Sequence, residues 1–208
     1  MWLCFAGISF VVPYLMSGGG DHLQARLSRW RVQRETQKRV SGLWAELTTN
    51  APRVGGDGPI VLVEFSDYEC AYCRELSPKL DSMLSEAGVA LAYRHFPLRP
   101  LHPRAEGAAR TAICASNQGR FRQMHHALMA SSEWARGETQ WTVFAAQVTG
   151  LDTNSLGRCL NSDDTSKRLA IDEALADSLR IGGTPTLLSR RGVFTKELTV
   201  ANLRALAR

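Results

Sequence analysis

Val61-Leu62-Val63-Glu64-Phe65-Ser66-Asp67-Tyr68-Glu69-Cys70-Ala71-Tyr72-Cys73 is the stretch whose reading decides the fold. Ile60 to Phe65 is mostly apolar and β-favouring, long enough for a strand covered on both faces. Ser66 to Glu69 breaks that pattern and makes a turn. Two cysteines separated by two residues then stand where the strand hands over to a helix. After them Leu76, Leu80, Met83, Leu84 and Ala87 recur at helical spacing, so one stripe of that helix faces a core. Pro78 lies inside the pattern and predicts a kink, because it lacks the N–H for an i→i−4 bond. Gly88 ends the helix, and Val89 to Phe96 reads as a second strand.

The position of the cysteines carries chemistry. The first sulfur sits at a helix N-terminus, where unpaired N–H groups and the helix dipole favour a thiolate, the reactive form. Half of a zinc site has the same spacing, so the pair alone leaves a metal reading open. A second signal lies far downstream in Gly182-Gly183-Thr184-Pro185-Thr186. Glycines followed by Thr-Pro, between a helical pattern and a short strand, mark a specified turn in which a cis bond fits. An isolated turn proline would be ordinary. Together, the dithiol and the Thr-Pro turn point to a thioredoxin-like unit.

Phe65-Ser66-Asp67-Tyr68-Glu69-Cys70-x-x-Cys73 resembles the active-site signature of the DsbA family of thiol–disulfide oxidoreductases. Phe96-Pro97-Leu98, His102-Pro103, the Ala-rich stretch to Cys114-Ala115, Gln118-Gly119-Arg120-Phe121 and Gly183-Thr184-Pro185-Thr186 follow that family's order. The resemblance covers about residues 52–190. It implies an α/β thioredoxin-like fold with an inserted helical domain at about 104–178, within a DsbA-like domain spanning 53–208. It also implies dithiol–disulfide exchange with protein cysteines outside the cytoplasm and no cofactor. The partners are client proteins with thiols or disulfides, and a membrane or soluble redox partner that recharges the site. One departure is Ala71, where many members carry Pro. The residues between the cysteines tune redox potential, so the direction of activity (oxidase, reductase or isomerase) stays open.

Roles follow from the chemistry. Cys70, exposed at the helix start, is the expected nucleophile, and Cys73, one turn in, breaks the mixed disulfide. Arg74 favours thiolate, while Asp67 and Glu69 oppose it. Thr184 and Pro185 are expected against the dithiol, with the Thr184 backbone free to pair with a bound peptide. Tyr72 lines the substrate surface or covers the disulfide. Glu64 is an acid in the middle of a buried strand, costly unless paired or protonated. The DsbA family tends to place a Glu six residues before the first cysteine, which implies proton exchange with Cys73. The alternative is a solvated strand face, and Arg94 is a candidate partner. His95, His102, His125 and His126 have no metal-ligand spacing with the dithiol. His102-Pro103 reads as a turn leading into a helix, and the other three as surface or core-edge residues.

Cys114 and Cys159 both fall in the helical segment, with apolar positions such as Ala108, Ala112, Phe121, Leu128, Trp141, Phe144, Val148 and Leu151. They are either unpaired buried residues or a structural disulfide, which an oxidising compartment would form. Closing a loop of about 45 residues would contribute on the order of 3–4 kcal/mol.

Residues 1–20 contain the apolar run Trp2 to Met16, interrupted by Pro13 and followed by Ser17-Gly18-Gly19-Gly20. The run is short for a membrane span and sized for a signal or anchor segment, with Cys4 as an apolar filler. No Lys or Arg precedes Arg26, so a basic n-region is missing. Residues 21–52 read as a basic helical linker. Between Arg26 and Arg39 six basic residues face one acid, Glu35. A solvated helix face explains that run, and a lipid-surface contact is the alternative. The segment places the protein in the periplasm or beyond the cytoplasm, secreted or anchored. The rest is ordinary for one globular core: 44% apolar, 22% charged, net charge +5. No nucleic-acid motif accompanies the charge, which excludes that class. No isomerase-type dimerisation domain is recognisable, so a monomer is expected. The competing functions are a metal-binding or metal-delivery module using Cys70 and Cys73, and a redox-inactive docking scaffold.

Overall fold

The computed structural model describes residues 11–208, with the side chains of residues 11–23 and of residue 29 left outside the description. The first half of the expected signal or anchor segment, with Cys4, therefore lies outside the described residues, and its second half falls in a helix. The chain runs α1 (Val11–Gly42), α2 (Trp44–Thr48), β1 (Arg53–Gly55), β2 (Ile60–Ser66), α3 (Ala71–Ala87) and β3 (Ala90–His95). Then come α4 (Ala105–Ser116), α5 (Phe121–Ala130), a 3-10 turn (Glu133–Ala135), α6 (Trp141–Ala145), α7 (Thr153–Leu160) and α8 (Asp163–Leu179). The chain closes with β4 (Thr186–Ser189), β5 (Gly192–Val193) and α9 (Val200–Leu206).

The five strands lie in the order β1-β3-β2-β4-β5. β2 and β3 are parallel, as the intervening helix α3 requires, while β1, β4 and β5 join antiparallel. Strand side chains alternate between faces, and the two faces have separate cores. One holds Leu62, Leu80, Leu84, Leu91, Tyr93, Met124, Leu128 and Leu203, beneath α3, α9 and the insert. The other holds Val40, Leu47, Val63, Phe65, Ala92, Leu175, Leu179 and Leu188, beneath α1, α2 and α8. The result is a thioredoxin-like mixed sheet with helices on both faces and a helical insertion between β3 and β4.

Local chemistry sets the ends of the elements. Gly88 takes the left-handed conformation, φ 69°, that closes α3. Asp152 caps α7 by accepting from Asn154 and Ser155, and Ser162 caps α8 by accepting from Thr165. Pro78 is accommodated within a single continuous α3. At Gly107 a Cβ would meet the Trp141 indole at 2.4 Å, so glycine there lets α6 press onto α4. The basic run lies on α1, which stays exposed until Thr36 and Val40 meet the body. Arg34 stacks its guanidinium 4.6 Å over Trp30, and Ser41 donates to the Arg190 carbonyl. Among the described residues no helix is long and apolar enough to cross a membrane.

Candidate active site

Cys70 is the N-cap of α3, and Cys73 lies in its first turn. Both are free thiols. The Thr184–Pro185 bond is cis, and its loop meets the dithiol: the Cys70 thiol donates to the Thr184 carbonyl at 3.4 Å. That carbonyl is thus engaged by Cys70 itself. The same loop corrects the expectation of an exposed nucleophile, because Cys70 is only 6% exposed and Cys73 fully buried. Tyr72 stands 75% exposed beside the pair, so it does not cover it. Burial pushes the Cys73 thiol up to about 12, against the pull of Ser66 and of the Asp67 backbone.

Glu64 is 2% exposed, so its strand face is not solvated. Burial pushes its carboxyl up to about 7, with the Ser66 hydroxyl pulling the other way. Arg94 is not its partner. In the β2/β3 register Glu64 stands opposite Tyr93, which puts Arg94 on the other face of the sheet. There Arg94 is fully buried and bonded to Asp172 at 2.6 Å, and it donates to the carbonyls of Leu47, Glu46 and Thr49. Asp172 also accepts from the His95 backbone at 3.0 Å, so this ion pair ties α2 and α8 to β3.

The acids of the turn act on backbone rather than on sulfur. Asp67 accepts from the Glu69 and Leu98 N–H groups, each at 2.8 Å, and from His102 Nδ1 at 2.8 Å. Glu69 accepts from the Arg104 N–H at 2.8 Å. Two histidines expected at the surface or the core edge are fully buried instead. His95 and His125, each 1% exposed, pack with Tyr68, Tyr93 and Phe121 in one aromatic cluster under the dithiol. Burial lowers His95 to about 4 and His125 to about 3, so both rings are neutral at neutral pH. His126 remains half in water against Asp81 at 3.0 Å. Sequence reading missed Asp67 as an anchor and missed Tyr93 and His125. The signal for Tyr93 and His95 was their alternation with Arg94 along β3. Nothing local marked His125.

In the insert, Cys114 and Cys159 form a disulfide, with S–S 2.07 Å, joining α4 to α7. Among the described residues no group of three or more His, Cys, Asp or Glu is placed to hold a metal ion.

Two free thiols at a helix start thus face a cis-proline loop on a β-α-β sheet. The family model for thioredoxin matches residues 52–207. The chain belongs to the thioredoxin family. A solved thioredoxin-like oxidoreductase from Silicibacter pomeroyi is 32% identical, with TM-score 0.64, covering 78% of this chain and 94% of that one. The thiol-disulfide exchange protein alpha-DsbA2 from Wolbachia pipientis shares the fold at TM-score 0.69 and 20% identity, covering 84% of this chain and 95% of that one. The thioredoxin-like, DsbA-like fold read from the sequence stands. Curated relatives include a Na(+)/H(+) antiporter NhaA of Mycolicibacterium gilvum, 32% identical over 133 residues, which are 63% of this chain and 22% of the antiporter. The chain spans about a fifth of the length of the antiporters it matches first.

Proposed function

We propose that the protein exchanges disulfides with protein cysteines outside the cytoplasm through a Cys70/Cys73 couple. One observation carries this reading: Cys70 is the N-cap of α3 with its sulfur against the Thr184 carbonyl of the cis-proline loop. A client sulfur that displaces this contact meets Cys70 first and the strand-like Thr184 backbone beside it. Cys70 attacks because it is the outer sulfur. Cys73, fully buried and held as a thiol, completes the exchange only after a base takes its proton. Glu64, titrating near neutrality, is that base. The Cys114–Cys159 disulfide supports an oxidising compartment. The protein works as a monomer, recharged by a separate redox partner.

With limiting iodoacetamide at pH 7, the reduced protein should alkylate at Cys70 well before Cys73. A Cys73→Ser variant should accumulate mixed disulfides with scrambled, disulfide-containing client proteins, and Cys70→Ser should accumulate few. Preferential labelling of Cys73, or equal trapping by both variants, overturns the assignment.

A further inference from the structure

Against the cis-proline loop, α1 and the sheet enclose a groove of about 610 Å³. Gly182 and Thr186, which bracket Gly183-Thr184-Pro185, both line it. The β2/β4 register sets Thr186 against Phe65 and Leu188 against Val63, so Thr186 and Leu188 share the α1/α8 face of the sheet. The Thr184 carbonyl holds the Cys70 thiol at 3.4 Å, and two residues of chain span at most about 7 Å. A polypeptide whose cysteine has met Cys70 therefore reaches the groove within about two to four residues.

The outer wall comes from α1, from residues ahead of the thioredoxin match. The last turns of α1 rest on β5: a Cβ on Gly192 would stand 3.5 Å from the Gln37 backbone, and Ser41 donates to the Arg190 carbonyl. Farther toward its N-terminus Arg31, Val32 and Glu35 are exposed, and they line the opening with Ile181, Leu188 and Val193. Val32 is 67% exposed and Val193 50%. Single exposed apolar side chains are ordinary, but these two line one groove beside a reactive sulfur. Both also line a second groove, of about 530 Å³, which carries the surface on past Arg191.

The charge of the walls is one-sided. Arg31, Arg39 and Arg180 line the groove with one acid, Glu35, and Arg39 takes that acid at 3.1 Å. Arg31 and Arg180 are left uncompensated within the lining, and Arg191 adds a cation next door. Such walls attract carboxylates. A second copy of this chain would bring the same arginines to the same place, so charge argues against it as the occupant. Continuity with the cis-proline loop favours a polypeptide already held at Cys70 over a lipid surface.

We propose that this groove binds the client chain next to its reacting cysteine, selecting an extended segment that combines apolar and acidic residues. The proposal rests on Cys70 exchanging disulfides with client proteins and adds which clients it takes. The client's apolar side chains cover Val32 and Val193, and its carboxylates meet Arg31 and Arg180.

Reduced protein is mixed by stopped flow with symmetrical disulfides of three short peptides. These carry Val-Glu-Val-Glu, Val-Gln-Val-Gln or Val-Lys-Val-Lys on both sides of the cysteine. At low ionic strength Cys70 should attack the acidic peptide about tenfold faster than the lysine peptide, and about 1 M salt should bring the two within about twofold. Arg31→Glu/Arg180→Glu should reverse the order. Arg136→Glu/Arg158→Glu, the same change of net charge at exposed positions on the insert, should keep it. Fluorescent peptides with Ser for Cys should bind reduced protein in the same order of affinity, read by anisotropy. Equal rates for the three peptides at low salt, or an order that Arg31→Glu/Arg180→Glu leaves unchanged, refutes the groove and leaves Cys70 as the nucleophile. Charge-ordered anisotropy with no reaction at Cys70 keeps the groove and refutes the exchange reading. A dimer that Arg31→Glu/Arg180→Glu splits, or phosphatidylglycerol vesicles that displace the acidic peptide, would give the groove to another occupant and refute the client.

Discussion

Replacing Glu64 by Gln keeps the shape of the buried side chain and removes its titration, so its effect on stability should depend on pH. The carboxyl rises from an ordinary value near 4.5 to about 7 on folding, because burial penalises its charge. The folded protein therefore binds more protons than the unfolded chain between these values. Stability is fully present below pH 4.5 and is lost as pH rises through about 7. At about 1.4 kcal/mol per tenfold change in proton affinity, the loss comes to about 3 kcal/mol. Glu64→Gln should then match wild type near pH 4 and exceed it by about 3 kcal/mol at pH 8, roughly 6–12 °C in melting temperature. His95 and His125 act in the opposite sense, since their stability contribution is lost as pH falls below about 6.5. Both proteins share that loss, so it cancels in the difference. Urea unfolding in a Cys70→Ser background keeps the Cys73 thiol without added reductant. A difference between the two proteins that stays constant from pH 4 to pH 8 would refute a neutral, buried Glu64.

Two further outcomes test the frame around the site. Replacing Cys114 and Cys159 together by Ala should cost about 4 kcal/mol in urea unfolding, from the sequence separation of 45 that the bond closes; a cost near zero would mean the insert holds itself. Asp172→Ala leaves the Arg94 charge buried alone and should cost about 3–5 kcal/mol, most of it recovered in Arg94→Met/Asp172→Leu; a single variant as stable as the double would show that Arg94 finds water or another partner.

The sheet centre and the dithiol were legible because they rest on short-range patterns. β2, α3 and β3 follow from the apolar run, the helical stripe and Gly88, and the Thr-Pro turn needed only its own residues. The Cys114–Cys159 bond was left between two readings, because α4 and α7 meet only through the packing of the whole insert. Arg94 was matched to the wrong acid for a geometric reason. Adjacency of strands was foreseeable, but which residues share a face depends on register, and the register sets Glu64 beside Tyr93. His125 was left at the surface or core edge, because between apolar Met124 and polar His126 nothing local tells how deep it lies. Only the folded chain brings Tyr68 and Ser77 to its two nitrogens.

Asp67 and Glu69 reach across to the backbone of residues 98 and 104, just ahead of α4. A segment spliced into a fold is ordinarily held only where the chain enters and leaves it. Here the entering end is gripped by carboxylates that belong to the dithiol turn, so turn and insert share one mechanical frame. The outer helices of the insert stand clear of that frame, with side chains such as Val143 in water. Substitutions there can leave the two sulfurs in their positions.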